Sequence, residues 1–214
     1  AARRAPGRAS AVSRLRDRRH RRDAYHRRAK DEGYAARSVY KLEELDRRFR
    51  LLRPGQRVLD LGCRPGSWLQ YACGRVGRRG HVVGLDRGPL DATPDNATVV
   101  VGDVTELPAV RLREALPAPG CFHVVLSDMA PDTSGVPFAD QVRSVELFLR
   151  ALELAVELGC PGGAFVGKVF MGEGFDEALA RVRQAYPRTK SVRPGATRKR
   201  STELYVVARG RRRG

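Results

Sequence analysis

Seven short runs of apolar, mostly β-branched residues recur along the chain, and helical patterns separate most of them. That alternation limits the available folds more than any other feature. The runs are Arg57–Leu61, His81–Asp86, Thr98–Val101, His123–Ser127 and Ala164–Val169, with a later pair near Thr189–Val192 and Leu204–Ala208. Ser67–Val76, Pro108–Leu116, Phe138–Leu158 and Phe175–Tyr186 read as helices. Strands that are apolar on both faces and alternate with helices imply an α/β fold, with a mostly parallel sheet covered on both sides. The last two runs lack a full helix between them, which predicts an antiparallel hairpin at one edge of a seven-stranded sheet. Ahead of the sheet, Asp23 to about Arg50 has helical periodicity. Val39, Leu42, Leu45 and Phe49 form one apolar stripe, and Arg53-Pro54-Gly55 is expected to end it. No repeat is visible in the 214 residues. The expected organisation is a flexible basic arm (1–20), one domain (21–210) whose segment 21–52 is helical, and a basic tail (211–214).

The formal net charge is +17, and it is concentrated at the ends. Residues 1–37 hold 13 Lys/Arg against 4 Asp/Glu, and residues 188–214 hold 10 against 1, so each end carries +9 and the remaining 150 residues about −1. A nearly neutral body with two basic ends suits an enzyme acting on a polyanion such as RNA. Arg-rich ends are otherwise solvated tails or, at the N-terminus, a transit sequence. Apolar runs of five to seven residues fall far short of the ~20 that cross a bilayer, and the Arg-rich start is not followed by a signal-peptide core. The expectation is a monomer without membrane contact, cytoplasmic unless the arm is an organellar transit sequence. Cys63, Cys73, Cys121 and Cys160 show no zinc-like spacing, so no metal is expected and all four read as reduced, mostly structural thiols.

In open parallel sheets ligands bind beyond the carboxyl ends of the strands, which singles out particular residues. The first strand runs into Gly62-Cys63-Arg64-Pro65-Gly66-Ser67-Trp68, a glycine turn that lets backbone approach a ligand. It is neither GxGxxG nor GxxxxGK[ST], which argues against a dinucleotide and a P-loop nucleotide. The second strand ends at Asp86, where a carboxylate can accept from a ribose diol. The third leads into Asp103-Val104, suited to an adenine amino group and ring. Either aspartate alone is equally well explained as a turn or cap residue. The two together, beside a glycine turn, indicate an adenosyl ligand. Asp128 follows the fourth strand and Lys168 lies in the fifth, within Ala-Phe-Val-Gly-Lys-Val-Phe-Met, where a buried amine needs a partner.

Five ordered motifs carry a wider likeness. They are Ser38-Val39-Tyr40-Lys41-Leu42, the Asp-Leu-Gly-x-x-Pro-Gly-x-Trp-x-Gln run from Asp60 to Gln70, Ser127-Asp128-Met129-Ala130-Pro131, Lys168-Val169-Phe170-x-Gly-Glu-Gly, and Ser201-x-Glu203-Leu204-Tyr205. Over nearly its whole length the chain resembles the FtsJ-like ribosomal RNA 2′-O-ribose methyltransferases. The resemblance implies a Rossmann-like class I fold, S-adenosyl-L-methionine as cofactor, and a catalytic tetrad of Lys41, Asp128, Lys168 and Glu203. It also implies cofactor contacts at Gly66, Trp68, Asp86, Asp103 and Asp128, to which the surrounding turn adds Gly62, Pro65 and Ser67, and the adenine pocket Val104. Ser67 stands where the family usually has a second glycine, and would weaken cofactor binding if that position needs positive φ. Arg64 and Cys63 replace smaller residues.

These expectations give an in-line methyl transfer in which Lys168 accepts the 2′-hydroxyl proton, Asp128 orients it, and Lys41 and Glu203 fix the ribose and phosphate. A charged Lys168 that only positions the hydroxyl is the alternative. RNA contacts are expected from the arm, from the helix bearing Arg27, Arg28, Lys30 and Arg37, and from Arg198-Lys199-Arg200. Large-subunit ribosomal RNA is the leading substrate, with uridine the expected target. Transfer RNA or a messenger cap is a second reading, and a noncatalytic RNA-binding assembly factor a third.

Overall fold

The computed structural model describes residues 24–132, 134–197 and 201–213. A seven-stranded sheet forms its centre: β1 (Arg57–Leu61), β2 (His81–Asp86), β3 (Ala97–Val101), β4 (Phe122–Ser127), β5 (Gly159–Phe170), β6 (Arg188–Val192) and β7 (Glu203–Arg209), in the order β3-β2-β1-β4-β5-β7-β6. Pairing is parallel from β3 through β5, while β7 pairs antiparallel with both β5 and β6. The expected edge hairpin is present, with β7 inserted between β5 and β6. Strand order reverses between β1 and β4, so the switch point lies at their carboxyl ends.

Helices cover both faces. On one, α2 (Val39–Phe49) and α3 (Ser67–Val76) bury Leu42, Leu45, Trp68 and Leu69 against Val58, Val82 and Tyr205. On the other, α4 (Ala109–Glu114), α5 (Pro137–Leu158) and α6 (Phe175–Ala185) bury Leu112, Phe148 and Val182 against Leu59, Val125 and Phe165. Both faces of the central strands are therefore dry, as their unbroken apolar runs require. No helix among the described residues is long and apolar enough to cross a membrane.

Three expectations need correction. The helix expected from Asp23 to Arg50 is two helices, α1 (described over residues 24–31) and α2, because Gly33 takes φ +76° and ends the first. The second helix stops at Arg50, itself left-handed at φ 52°, ahead of Pro54. β5 begins at Gly159, five residues early, carrying Pro161 through a register shift opposite Phe122 and Val124. The four cysteines are not all thiols: Cys121 and Cys160 form a disulfide, with Cα atoms 5.0 Å apart. Register explains the pairing, since Phe122 sits opposite Gly159 and brings the neighbouring cysteines together across 39 residues of sequence. Cys63 and Cys73 are free and buried.

Candidate active site

Register brings the tetrad together. Ser127 pairs with Gly167, so Asp128 and Lys168 leave adjacent strands at the same height. Because β7 runs the other way, it starts at the rim where the parallel strands end: Glu203 lies opposite Phe170, and Tyr205 opposite Lys168. Directly opposed residues share a face, as do residues two apart, so Glu203, Tyr205 and Lys168 all point to the α2 side. There α2 supplies Lys41.

Two ion pairs result. Lys41 Nζ lies 2.7 Å from Glu203 Oε1, and Lys168 Nζ donates to Asp128 Oδ1 at 3.0 Å and to the Asp128 backbone carbonyl. Lys168 is only 7% exposed, and that carboxylate is the partner its burial requires. Tyr205 joins the pairs: Lys41 Nζ donates to its phenol oxygen at 3.2 Å, and the phenol donates to Asp128 Oδ1 at 2.5 Å. Burial, then the charges of Asp128 and Glu203, hold the phenol well above its ordinary range, so it keeps the proton it donates. Thr197 Oγ1 donates to Glu203 Oε1 at 3.2 Å. Tyr205 and Thr197 received no role in the sequence reading. The period-two spacing from Glu203 is the signal that would have found Tyr205.

Beside this cluster opens a cleft of about 390 Å³ at the switch point, lined by Gly62, Asp86, Asp103, Val104, Asp128 and Met129 among others. Gly62 has φ +75°, and a Cβ there would sit 2.5 Å from Met129 Cγ, so only glycine fits. The Asp86 carboxylate accepts from the Arg64 amide at 3.0 Å and the Gly88 amide at 3.4 Å, which aims it at the cleft from β2. Asp103 Oδ1 accepts from the Thr105 amide at 2.8 Å and hydroxyl at 2.6 Å; these bonds hold its carboxyl below the usual range and leave Oδ2 for a ligand. Asp60, at the floor, is fully buried, and neither carboxyl oxygen has a hydrogen-bond partner among the described residues.

The rest of the glycine turn is placed differently. Positive φ belongs to Gly66 (+116°), while Ser67 is the first residue of α3 and takes no such conformation. The Ser67 side chain is buried, with its Oγ 2.8 Å from Ser38 Oγ. Trp68 is buried too, donating through Nε1 to the Ser38 carbonyl at 2.9 Å and packing on the Tyr205 ring at 5.8 Å. Pro65, Gly66, Ser67 and Trp68 are not among the residues lining the cleft. Ser67 and Trp68 instead dock the start of α2, and with it Lys41, onto α3.

Of the candidate RNA contacts, Arg27, Arg28 and Lys30 are exposed on α1 and Arg37 is half-buried. Arg28 is already engaged, pairing with Glu32 at 2.7 Å and lying over the Tyr40 ring at 4.4 Å. The Ala35 amide donates to Gln70 Oε1 at 3.0 Å, which holds this segment against α3. Arg198, Lys199 and Arg200 lie outside the described residues, as does the arm.

Known proteins are similar to this chain in sequence and fold. A protein described as ribosomal RNA large subunit methyltransferase E from Sorangium cellulosum is 52% identical over 186 residues, 86% of either chain. One of the same description from Desulfatibacillum aliphaticivorans is 49% identical over 87% of this chain and 89% of its own. The crystal structure of a Plasmodium falciparum protein described as a ribosomal RNA methyltransferase superposes with a TM-score of 0.74 at 25% identity, covering 83% of this chain and 98% of that one. The family profile of FtsJ-like methyltransferases matches residues 34–211, and to that family the chain belongs.

Proposed function

We propose that the protein methylates a ribose 2′-hydroxyl, that of a uridine, in large-subunit ribosomal RNA. The observation that carries this reading is the convergence of Lys41, Asp128, Lys168 and Glu203, through Tyr205, at the edge of the switch-point cleft. The methyl donor of the family is S-adenosyl-L-methionine. The cleft suits it: Asp86 offers a carboxylate to a ribose diol, Asp103 Oδ2 and Val104 an edge and an apolar wall to a purine, and Gly62 close backbone approach. When bound, that group supplies an electrophilic methyl already activated on sulfur.

The residues of the chain supply alignment and a proton path. Asp128 holds Lys168 by two acceptors, so the amine is fixed with its remaining valence toward the incoming hydroxyl. Lys168, paired with Asp128 at rest, would first release a proton to solvent. The 2′-O–H bond would then break as the O–CH₃ bond forms and the methyl's bond to sulfur breaks, with that electron pair left on sulfur as a neutral thioether and Lys168 taking the hydroxyl proton. Lys41, neutralised by Glu203 and steadied by Tyr205, anchors the ribose and its phosphate. All of these side chains come from one chain, which supports action as a monomer. The substrate named for the relatives supports a cytoplasmic, ribosome-associated setting.

The test is radiolabelled methyl transfer to large ribosomal subunits, with mapping of alkali-resistant positions. Lys168→Ala is expected to lower single-turnover transfer by at least ~10²-fold with cofactor binding retained, and the wild-type rate to rise with pH. Loss of cofactor binding in that variant would make Lys168 structural. A flat pH profile would leave it a positioning group, and label in transfer RNA instead of subunits would move the substrate.

A further inference from the structure

Large apolar side chains exposed among the described residues include Val136, Phe138 and Met171, and these three lie at the rim that holds the tetrad. Phe138 is 58% and Met171 53% exposed. The segment after β5 runs along the first turns of α5. The Phe170 amide donates to Ser144 Oγ at 3.0 Å, and Gly172 lies directly against the Gln141 side chain. Phe138 is three residues before Gln141, hence on the helical face against which the Met171-Gly172 segment packs. The Met171 amide donates to the Thr202 carbonyl at 2.9 Å, which places it one residue from Glu203 on one side and three from Lys168 on the other. An aromatic ring and a thioether therefore stand in water at the border of a buried cluster of two lysines and two acids.

Such a pairing calls for an occupant, because exposed apolar patches on a charged protein mark contact surfaces. The occupant must suit a chain of net charge +17 and must adjoin the ribose proposed to enter the tetrad. Lys168 is nearly inaccessible, so a sugar held in a stacked duplex cannot reach it, and the target nucleotide or its neighbour has to be turned out. A base leaving its stack exposes an apolar face that a flat aromatic ring and a polarisable sulfur can cover. We infer that Phe138 and Met171 form the platform on which an unpaired base of the RNA stacks while its sugar, or the adjacent one, occupies the tetrad. The inference rests on the ribose-methylation reading and adds to it a determinant for single-stranded RNA that is independent of charge.

Binding separates the two. A single-stranded oligouridine, alone or annealed to oligoadenosine, is titrated against wild type, F138A, F138L, F138Y and M171A at fixed salt. F138A is expected to weaken single-strand binding by at least about fivefold more than duplex binding, the lower end of a base–aromatic stack. M171A should act in the same direction, F138Y should hold near wild type, and the slope of affinity against salt should not change. A smaller selective loss in F138A, or rescue by F138L, overturns the platform, the latter by showing an apolar contact that needs no ring. Should F138A fail to fold, M171A and the F138L–F138Y comparison decide. Failure of the ribose-methylation reading appears elsewhere, as absent methyl transfer to ribosomal subunits by the wild-type protein.

Discussion

The carboxyl of Asp60 sits on β1 beneath the cleft with no exposed surface and no hydrogen bond among the described residues. Burial, and after it the charges of Asp128 and Asp86, push it up to about 8. Between the ordinary aspartate range near 4 and that value, the folded protein holds a proton that the unfolded chain has released. Stability is therefore highest at low pH, as far as this residue is concerned, and is lost as pH rises toward 8, by at most ~1.4 kcal/mol per pH unit. Asp60→Asn cannot ionise and should remove that slope. Thermal melts of both proteins from about pH 6 to about pH 9 check it: the wild-type midpoint should fall relative to the variant as pH rises. Parallel curves would mean that Asp60 is solvated or paired. Its position in the Asp-Leu-Gly motif, with Arg57 and Arg64 nearby in sequence, gave no hint that its carboxyl is left unpaired.

At the scale of elements, the amino-terminal ends of β4 and β5 are joined by Cys121–Cys160, at the pole opposite the cleft. A cross-link over 39 residues restricts the unfolded chain by roughly 2–4 kcal/mol. Cys121→Ser, or reductant added to the wild type, should lower the denaturant midpoint accordingly and leave S-adenosylmethionine affinity unchanged, because the cleft lies at the other end of the strands. A midpoint indifferent to reductant would show that the bond does not form in solution. The contrast with the rest of the fold is instructive. Strands and helices were legible because their apolar periodicity is local, while the residues proposed as a tetrad are named by the resemblance that five motifs carry. The disulfide was not legible, since it depends on which segments become neighbours, whereas the helix break at Gly33 had a local signal in the glycine itself. Cysteine spacing does not encode the Phe122–Gly159 register, and a tryptophan after a glycine turn reads the same whether it faces a ligand or Ser38.

The whole molecule separates its charge by pole. β7 carries Glu203 at the rim beside the cleft and Arg209, opposite Ala164, near the far end of β5. Beyond it the chain remains tied down there: Arg211 donates to the Val156 carbonyl at 2.8 Å, and the Arg212 amide donates to the Ala185 carbonyl at 3.0 Å. The C-terminal excess of basic residues thus divides. Arg209, Arg211, Arg212 and Arg213 belong to the pole away from the tetrad, whereas Arg198, Lys199 and Arg200, outside the described residues, precede Glu203 in sequence by three to five positions. Net charge alone would treat these groups alike, but under the proposed function the second group, close to Glu203 in sequence, is the one expected to meet RNA. Replacing Arg198, Lys199 and Arg200 by Gln should weaken binding to ribosomal RNA and flatten the logarithmic salt dependence by up to ~2–3. The double change Arg212→Gln and Arg213→Gln should leave both near wild type. Filter binding across a salt series reads affinity and slope together. Equal losses from the two sets would mean that attraction is a property of total charge, and that the fold does not select which face meets the RNA.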